Sequence, residues 1–440
     1  MSIEDPIRPG DATGIGLEIH RLMGELFPIC RSITGDGFRR TLDILRRHIP
    51  LDVREVPTGT RVFDWTVPKE WNIRDACIKG PGGEKIVDFR ASNLHVVSYS
   101  RPVRAILPLA ELKKHLHSLP EHPDWVPYKT TYYKDDWGFC LSHRQFLTLE
   151  EGDYDVLIDS TLEDGSLTFG ELYLPGETEK EILISAHACH PSLANDNLSG
   201  VGLATMLAKH LGTRQHRYSY RFLFIPGTIG AIAWLSLNES RAGRIAAGLV
   251  VSGVGDRGEI TYKRSRRGLA EIDRAAAHVL GHSGRPYRLL DFHPYGYDER
   301  QYCSPGFDLP VGRFSRTPCA EYPEYHTSAD NMAFVSAVSL ADSFEKIAAI
   351  LDLIEENRVY QSLNQKCEPQ LGKRGLYSSA GANEIALLWV MNLSDGGHSL
   401  LDIAERSGLP FAAVREAAEA LARAGLLVER PRTSEAGGPL

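Results

Sequence analysis

The chain has 440 residues, 42% of them hydrophobic and 24% charged, with a formal net charge of −8. Such a length fits about two to four domains, the apolar content supplies substantial cores and excludes a disordered chain, and the acidic balance argues against nucleic acid as the main partner. Seven cysteines (Cys30, Cys77, Cys140, Cys189, Cys303, Cys319 and Cys367) are scattered singly, the pattern of reduced thiols in a cytoplasmic protein.

The start, MSIEDPIRPGDATG, has neither a basic n-region nor an apolar h-region, and no apolar run reaches the length of a membrane span. Ile19, Leu22, Met23 and Leu26 fall on one helical face, as do Phe38, Leu42, Leu45 and Ile49. A strand is expected at Leu51 to Val56. From Asp64 to Leu147 the text turns to aromatics and prolines (Trp65, Trp71, Pro120, Trp125, Tyr132, Tyr133, Trp137), which reads as short strands and turns. It is expected to be an inserted β-rich subdomain, 64–147, whose aromatics serve mainly as core. The α/β pattern is expected to resume at Tyr154-Asp155-Val156-Leu157-Ile158.

The densest chemistry lies in EILISAHACHPSLANDNLSG, Glu181 to Gly200. Ile182, Leu183 and Ile184 read as a buried strand of a parallel sheet. It runs into His187 and His190, then the turn-rich Asn195-Asp196-Asn197, then Ser199-Gly200 opening a helix. Ligands of open α/β sheets sit outside the carboxyl ends of the strands. A lone histidine there is more often a satisfied polar residue. Two imidazoles and a carboxylate within ten residues suit a divalent metal such as zinc.

Farther on, the short run Leu289 to Phe292 precedes the polar cluster Tyr295-Gly296-Tyr297-Asp298-Glu299. Phe307 to Phe314 reads as another strand, followed by Tyr325-His326-Thr327-Ser328-Ala329-Asp330-Asn331. The tail differs again. Ile385 to Leu393 reads as a helix, Ser399 caps a second, Phe411 to Ala424 forms a third, and Leu426 to Val428 forms a strand. This is the pattern of a winged helix-turn-helix. From Ser399 to Arg430 it carries four basic residues against five acidic ones, which disfavours phosphate binding and points to packing or a homo-oligomer contact.

From about Thr168 to Ile350 the chain resembles the bacterial di-zinc aminopeptidases of doubly wound α/β fold. HPSLANDNLSG, DERQYCSPGF, EYHTSADN and EPQLGKRGLY extend the likeness over nearly the whole chain, to an aminopeptidase-like family that carries a C-terminal winged helix and often appears under polysaccharide-biosynthesis labels. The resemblance implies an α/β fold with a doubly wound, mostly parallel sheet. It assigns residues 1–63 and 148–375 to that domain and 376–440 to the winged helix. It places metal ligands at His187, Asp196 and His326, with His190 as an extra candidate, and matches the family's Ser-Asp segment to Tyr297-Asp298-Glu299.

The chain also departs from the template. Cys189 stands where the di-zinc enzymes have an aspartate two residues after the first histidine. Gly227 stands where their general base is expected, a position at which the closer family has glutamate. Val250 to Val254 ends its strand without the later ligand carboxylate. With those donors gone, one zinc ion is expected rather than two, since three protein ligands and an open position form the usual catalytic arrangement. Glu299, Asp298 and Glu324 are the candidates to replace the missing base, and Asp298 or Glu299 could also meet a substrate amine. The resemblance implies a zinc-dependent, aminopeptidase-like amide hydrolase of narrow specificity, acting on a peptide or amino-acid conjugate. The alternative is a non-peptidase relative, repurposed for binding or for other chemistry on an amino-acid group in a biosynthetic pathway.

Overall fold

The computed structural model describes residues 9–376 and 384–430; the ends of the expected spans 1–63 and 376–440 lie partly outside these. It divides into two compact units, one of residues 1–270 and 286–347, the other of 271–285 and 348–440.

The first unit is built on an eight-stranded mixed sheet. Four strands at its centre, Ser219–Ile225, Glu181–His187, Ile245–Val251 and Val311–Ser315, run parallel in that spatial order. Glu181–His187 and Ser219–Ile225 are buried at every residue, so both faces are covered and the sequence reads as a continuous apolar run. Ser166–Leu174 and Asp52–Pro57 extend one side antiparallel. Ile260–Lys263, antiparallel to Val311–Ser315, and Tyr287–Leu290 extend the other. The amphipathic helices appear as Pro9–Leu26 and Asp36–Leu45. The strand expected over Phe307 to Phe314 begins only at Val311, because Asp308 takes a left-handed φ of 44° and Pro310 offers no ladder donor.

A second, four-stranded antiparallel sheet orders Lys85–Asp88, Glu70–Lys79, Asp153–Glu163 and Val103–Pro108. Here the expectation for Tyr154 to Ile158 fails: this run belongs to the second sheet and not to the α/β sheet. Its burial alternates residue by residue, as in an antiparallel strand with one wet face, and its inward side chains join Trp137, Phe139 and Leu112 in a separate core.

The second unit holds a three-stranded sheet, Asp395–Ser399, Val359–Ser362 and Leu427–Arg430, with helices Glu384–Leu393, Leu400–Ser407 and Phe411–Arg423. Its first strand lies before residue 376, so the unit takes in chain that the sequence reading gave to the α/β domain. Ser399 caps its helix as expected: Asp402 N donates to Ser399 Oγ at 3.2 Å and Ser399 N donates to Asp402 Oδ2 at 2.6 Å. Helix Glu271–Gly281 is part of this unit, through Arg274 on Asp402 at 2.5 Å and His278 Nε2 accepting from Phe411 N at 3.0 Å. No helix among the described residues is long and apolar enough to cross a membrane.

A buried charge cluster joins three strands of the main sheet. Arg221 donates to Glu181 at 2.5 and 2.9 Å and to Glu171 at 2.5 Å. Removing the cation would leave two carboxylates buried without it. Arg221→Met is expected to destabilise the fold by about 3–5 kcal/mol, read from the midpoint of urea unfolding.

Candidate metal centre

The strand Glu181–His187 ends at the carboxyl edge of the sheet and delivers His187 there, fully buried. The chain loops through His190 and re-enters as a tight turn, Ala194–Ser199, before the helix Gly200–Leu211. Asp196 and Asn197 leave helical geometry inside this turn, at φ −109° and −141°, and the peptide between them is cis. The neighbouring polar side chains hold the turn in place. Asn197 Nδ2 donates to Val251 O at 2.9 Å, and Asn197 Oδ1 accepts from Gly253 N at 3.1 Å. Ser199 Oγ accepts from Val254 N at 3.1 Å and Asn195 Oδ1 from Gly255 N at 2.9 Å. The strand end that lacks a ligand carboxylate is thus bound through its backbone to the ANDNLS turn. Gly200 is required here, since a Cβ would sit 2.4 Å from Val251 O.

Asp196 is the focus. His187 Nε2 lies 3.0 Å from its Oδ1, and His326 Nε2 lies 3.0 Å from its Oδ2. The Tyr297 hydroxyl donates to Oδ1 at 2.5 Å and lies 3.0 Å from the Tyr325 hydroxyl. Burial alone would raise the Asp196 carboxyl, but the hydrogen-bonding imidazoles of His187 and His326 outweigh it and hold the group well below the usual carboxylate range. Asp330 carries the turn from behind, accepting from Asn195 N at 2.6 Å and Asp196 N at 3.0 Å; burial pushes its own carboxyl up to about 7.

His187, His190 and Asp196 bring donor atoms within 4.8 Å of one another. His190 Nδ1 is buried with no hydrogen-bond partner, and burial pushes this imidazole down to about 3, so it stays neutral. Two imidazoles and a carboxylate, with an orphaned buried nitrogen among them, are a donor set that fits zinc. His326 serves the opposite oxygen of Asp196, its ring stacked on Tyr325 at 3.9 Å.

The other expected residues occupy different positions. Asp298 Oδ1 accepts from Thr228 N at 2.6 Å, directly after Gly227, while its Oδ2 is buried and unpartnered; burial raises this carboxyl to about 6. Glu299 is fully buried with Oε1 2.5 Å from Lys263 Nζ, and its Oε2 accepts from Tyr297 N at 3.1 Å. Its partner is therefore Lys263. Glu324 is half-buried, its carbonyl accepting from Thr327 N. Gly227 lies against the site: its N donates to Cys189 Sγ at 3.3 Å, and a Cβ would meet His187 Cβ at 3.7 Å. Burial raises the Cys189 thiol to about 12, which keeps it protonated.

Residues that the sequence did not single out complete the walls. Tyr128, from the inserted region, donates its N to His326 O at 2.8 Å and sets its ring edge-on to His190 and His326 at 5.2 and 5.1 Å. Arg31 is fully buried and donates to His190 O at 2.9 Å and Leu26 O at 2.6 Å. The sequence signals for Tyr297 were its place in a polar cluster and its match to the family's Ser-Asp segment; for Tyr128 and Arg31 there was none.

A doubly wound sheet with histidines and a shared aspartate at its carboxyl edge, followed by a winged helix, defines an aminopeptidase-like α/β protein. The chain belongs to the family described as domain of unknown function DUF4910, matched over residues 20–357, and a winged helix-turn-helix is matched over 358–429. It is 54% identical over 418 residues to a Clostridium acetobutylicum protein whose name pairs polysaccharide biosynthesis with an aminopeptidase-like domain, covering 94% of this chain and 96% of that one. A crystal structure from Clostridium acetobutylicum superposes with a TM-score of 0.93 at 52% identity, over 96% of this chain and 98% of the other. The zinc aminopeptidase of Bacillus subtilis shares the fold at TM-score 0.57 and 14% identity, over 79% of this chain and 95% of that one.

The contrast between two glycines gives a stability test. A Cβ at Gly227 makes ordinary contacts, whereas one at Gly200 collides with backbone. Gly227→Ala is expected to change unfolding free energy by less than about 1 kcal/mol, and Gly200→Ala to cost about 1–3 kcal/mol or more, both measured by denaturant titration.

Proposed function

We propose that this chain is a metal-dependent hydrolase of an amide bond, holding one zinc ion through His187, His190 and Asp196, with His326 fixing the second oxygen of Asp196. The observation that carries this reading is the convergence of those three donors within 4.8 Å of one another, with His190 Nδ1 buried and unpartnered. Zinc at such a place supplies Lewis acidity toward a carbonyl. Tyr297 and His326 hold Asp196 in one orientation, and Tyr128 sets its ring edge-on to His190 and His326.

The proton acceptor in this reading is Asp298. It is fastened to the turn that carries Gly227, it keeps one oxygen free, and its raised carboxyl titrates near the working range of a general base. Glu299 is engaged by Lys263, which assigns it to holding the Tyr295–Glu299 segment. The substrate is a peptide or amino-acid conjugate, and the name of the Clostridium relative fits a biosynthetic setting. The second reading, a relative repurposed for binding or for other chemistry on an amino-acid group, is favoured by Gly227, which cannot accept a proton.

Purified protein is expected to contain about one equivalent of zinc by elemental analysis, as the three-ligand arrangement requires, and His190→Ala to lose it. A native protein that binds no metal would sink the hydrolase reading. On a panel of amino-acid amides, Asp298→Asn is expected to keep the metal and lower turnover by roughly 10²–10⁴-fold. The native rate is expected to fall as pH drops through about 6, where Asp298 gains its proton, and a rate profile flat through that range would remove Asp298 from the role.

A further inference from the structure

One buried cation of the first unit lacks a full counter-charge. Arg313 is 4% exposed, and its Nε is buried with no hydrogen-bond partner. Its Nη1 lies 3.5 Å from Cys319 Sγ and 3.9 Å from Glu299 Oε1. That carboxylate is already engaged, by Lys263 Nζ at 2.5 Å and by Tyr297 N at 3.1 Å. Lys263 spends its other donors on the carbonyls of His293 and Tyr295. Burial raises the Cys319 thiol, so it stays neutral. Two cations are thus enclosed with one carboxylate, and a buried charge without its partner is costly. The guanidinium fork matches a carboxylate in two parallel hydrogen bonds, and Glu299 does not fill it.

Arg313 lies on the face of the sheet that carries the metal centre. The register aligns Ser185 with Val250 and Val250 with Arg313. Alternate residues of a strand share a face, so Arg313 points to the side of Ser185 and His187. Two strand spacings, roughly 10 Å, separate it from the strand of His187. The segment from Tyr297 to Glu299 spans that interval. The Tyr297 ring stacks on His187 at 4.2 Å, its hydroxyl donates to Asp196, and its N donates to the carboxylate beside Arg313. Cys319, against the guanidinium, is near enough to Asp196 for the two charges to bear on each other. Tyr297, Cys319 and Tyr325 are each half-buried, so the rim of this interval reaches solvent.

We infer that Arg313 binds a carboxylate carried by the substrate on the nitrogen side of the scissile amide; this rests on the amide-hydrolase reading. An amide made from the amine of an α-amino acid holds its carboxylate within roughly 4 Å of the carbonyl carbon, a span that fits the interval between the metal centre and Arg313. The occupant is an N-acyl amino acid, of which a dipeptide with a free carboxyl end is the simplest case. Arg313 sets specificity and takes no part in the bond cleavage.

The test compares glycylglycine with glycylglycinamide, which differ only in ending in a carboxylate or a carboxamide. Dissociation constants are measured by ligand-detected NMR on the full-length protein, with zinc content determined in the same samples. The native protein is expected to bind glycylglycine about 10- to 100-fold more tightly, the effect of a charge-assisted hydrogen-bonded pair. Arg313→Gln is expected to bring that ratio close to one at unchanged zinc content. Arg313→Lys keeps the charge and loses the fork, and is expected to give an intermediate ratio. Equal binding of the two probes by the native protein overturns the proposal, a result that needs no variant to fold. A preference that survives in Arg313→Gln also overturns it, by placing the carboxylate on the metal. Cleavage is scored separately: carboxylate preference without cleavage would reject the hydrolase reading and leave the subsite standing.

Discussion

A carboxylate withdrawn from water must be fully partnered or lose its charge, and the architecture of this site follows from meeting that demand at Asp196. The group is 2% exposed. One oxygen is engaged by His187 and Tyr297, the other by His326. These partners come from the end of a central strand, from the segment before a short helix, and from the loop after the Val311–Ser315 strand. One side chain thereby fixes the relative position of three distant stretches of chain. Asp330 in turn fixes Asp196, spending both of its oxygens on the backbone of the turn.

Parts of this arrangement were legible in the sequence because they are local. His187, His190 and Asp196 lie within ten residues, and a buried strand followed by a turn and a helix start dictates where they go. His326 was legible only through the motif around it. Pairing across long separations was not. Glu299 and Lys263 are both charged, but nothing in their spacing says that they meet, so the carboxylate read as a free base candidate. Tyr128 was hidden among the many aromatics of the insertion, most of which do build core, as Trp71 and Trp137 do at 3% and 6% exposure. The run Tyr154 to Ile158 was misplaced because an alternating strand of five residues fits either sheet.

The winged helix was legible from its helix caps and periodicity, and its charge balance is matched by its contacts. Arg415 pairs with Glu356 at 2.5 Å and with Glu419 at 3.6 Å; Arg423 pairs with Glu419 at 3.7 Å. A winged helix defines a shape, and what it contacts depends on the charge it presents.

The strand Asp153–Glu163 belongs to the four-stranded sheet, and Ser166–Leu174 to the eight-stranded one, with only Asp164 and Gly165 between. Gly165 is bonded on both sides to Thr58, and Ser166 N donates to Glu70, the first residue of a strand in the other sheet. Residues 64–147 are therefore not a detachable module. Excising residues 64–147 would strip Asp153–Glu163 of both its neighbours, leaving an unpaired, half-apolar edge fused to the eight-stranded sheet, a template for self-association. A minimal domain cut from this chain has to keep Glu70–Lys79, Val103–Pro108 and Asp153–Glu163 together.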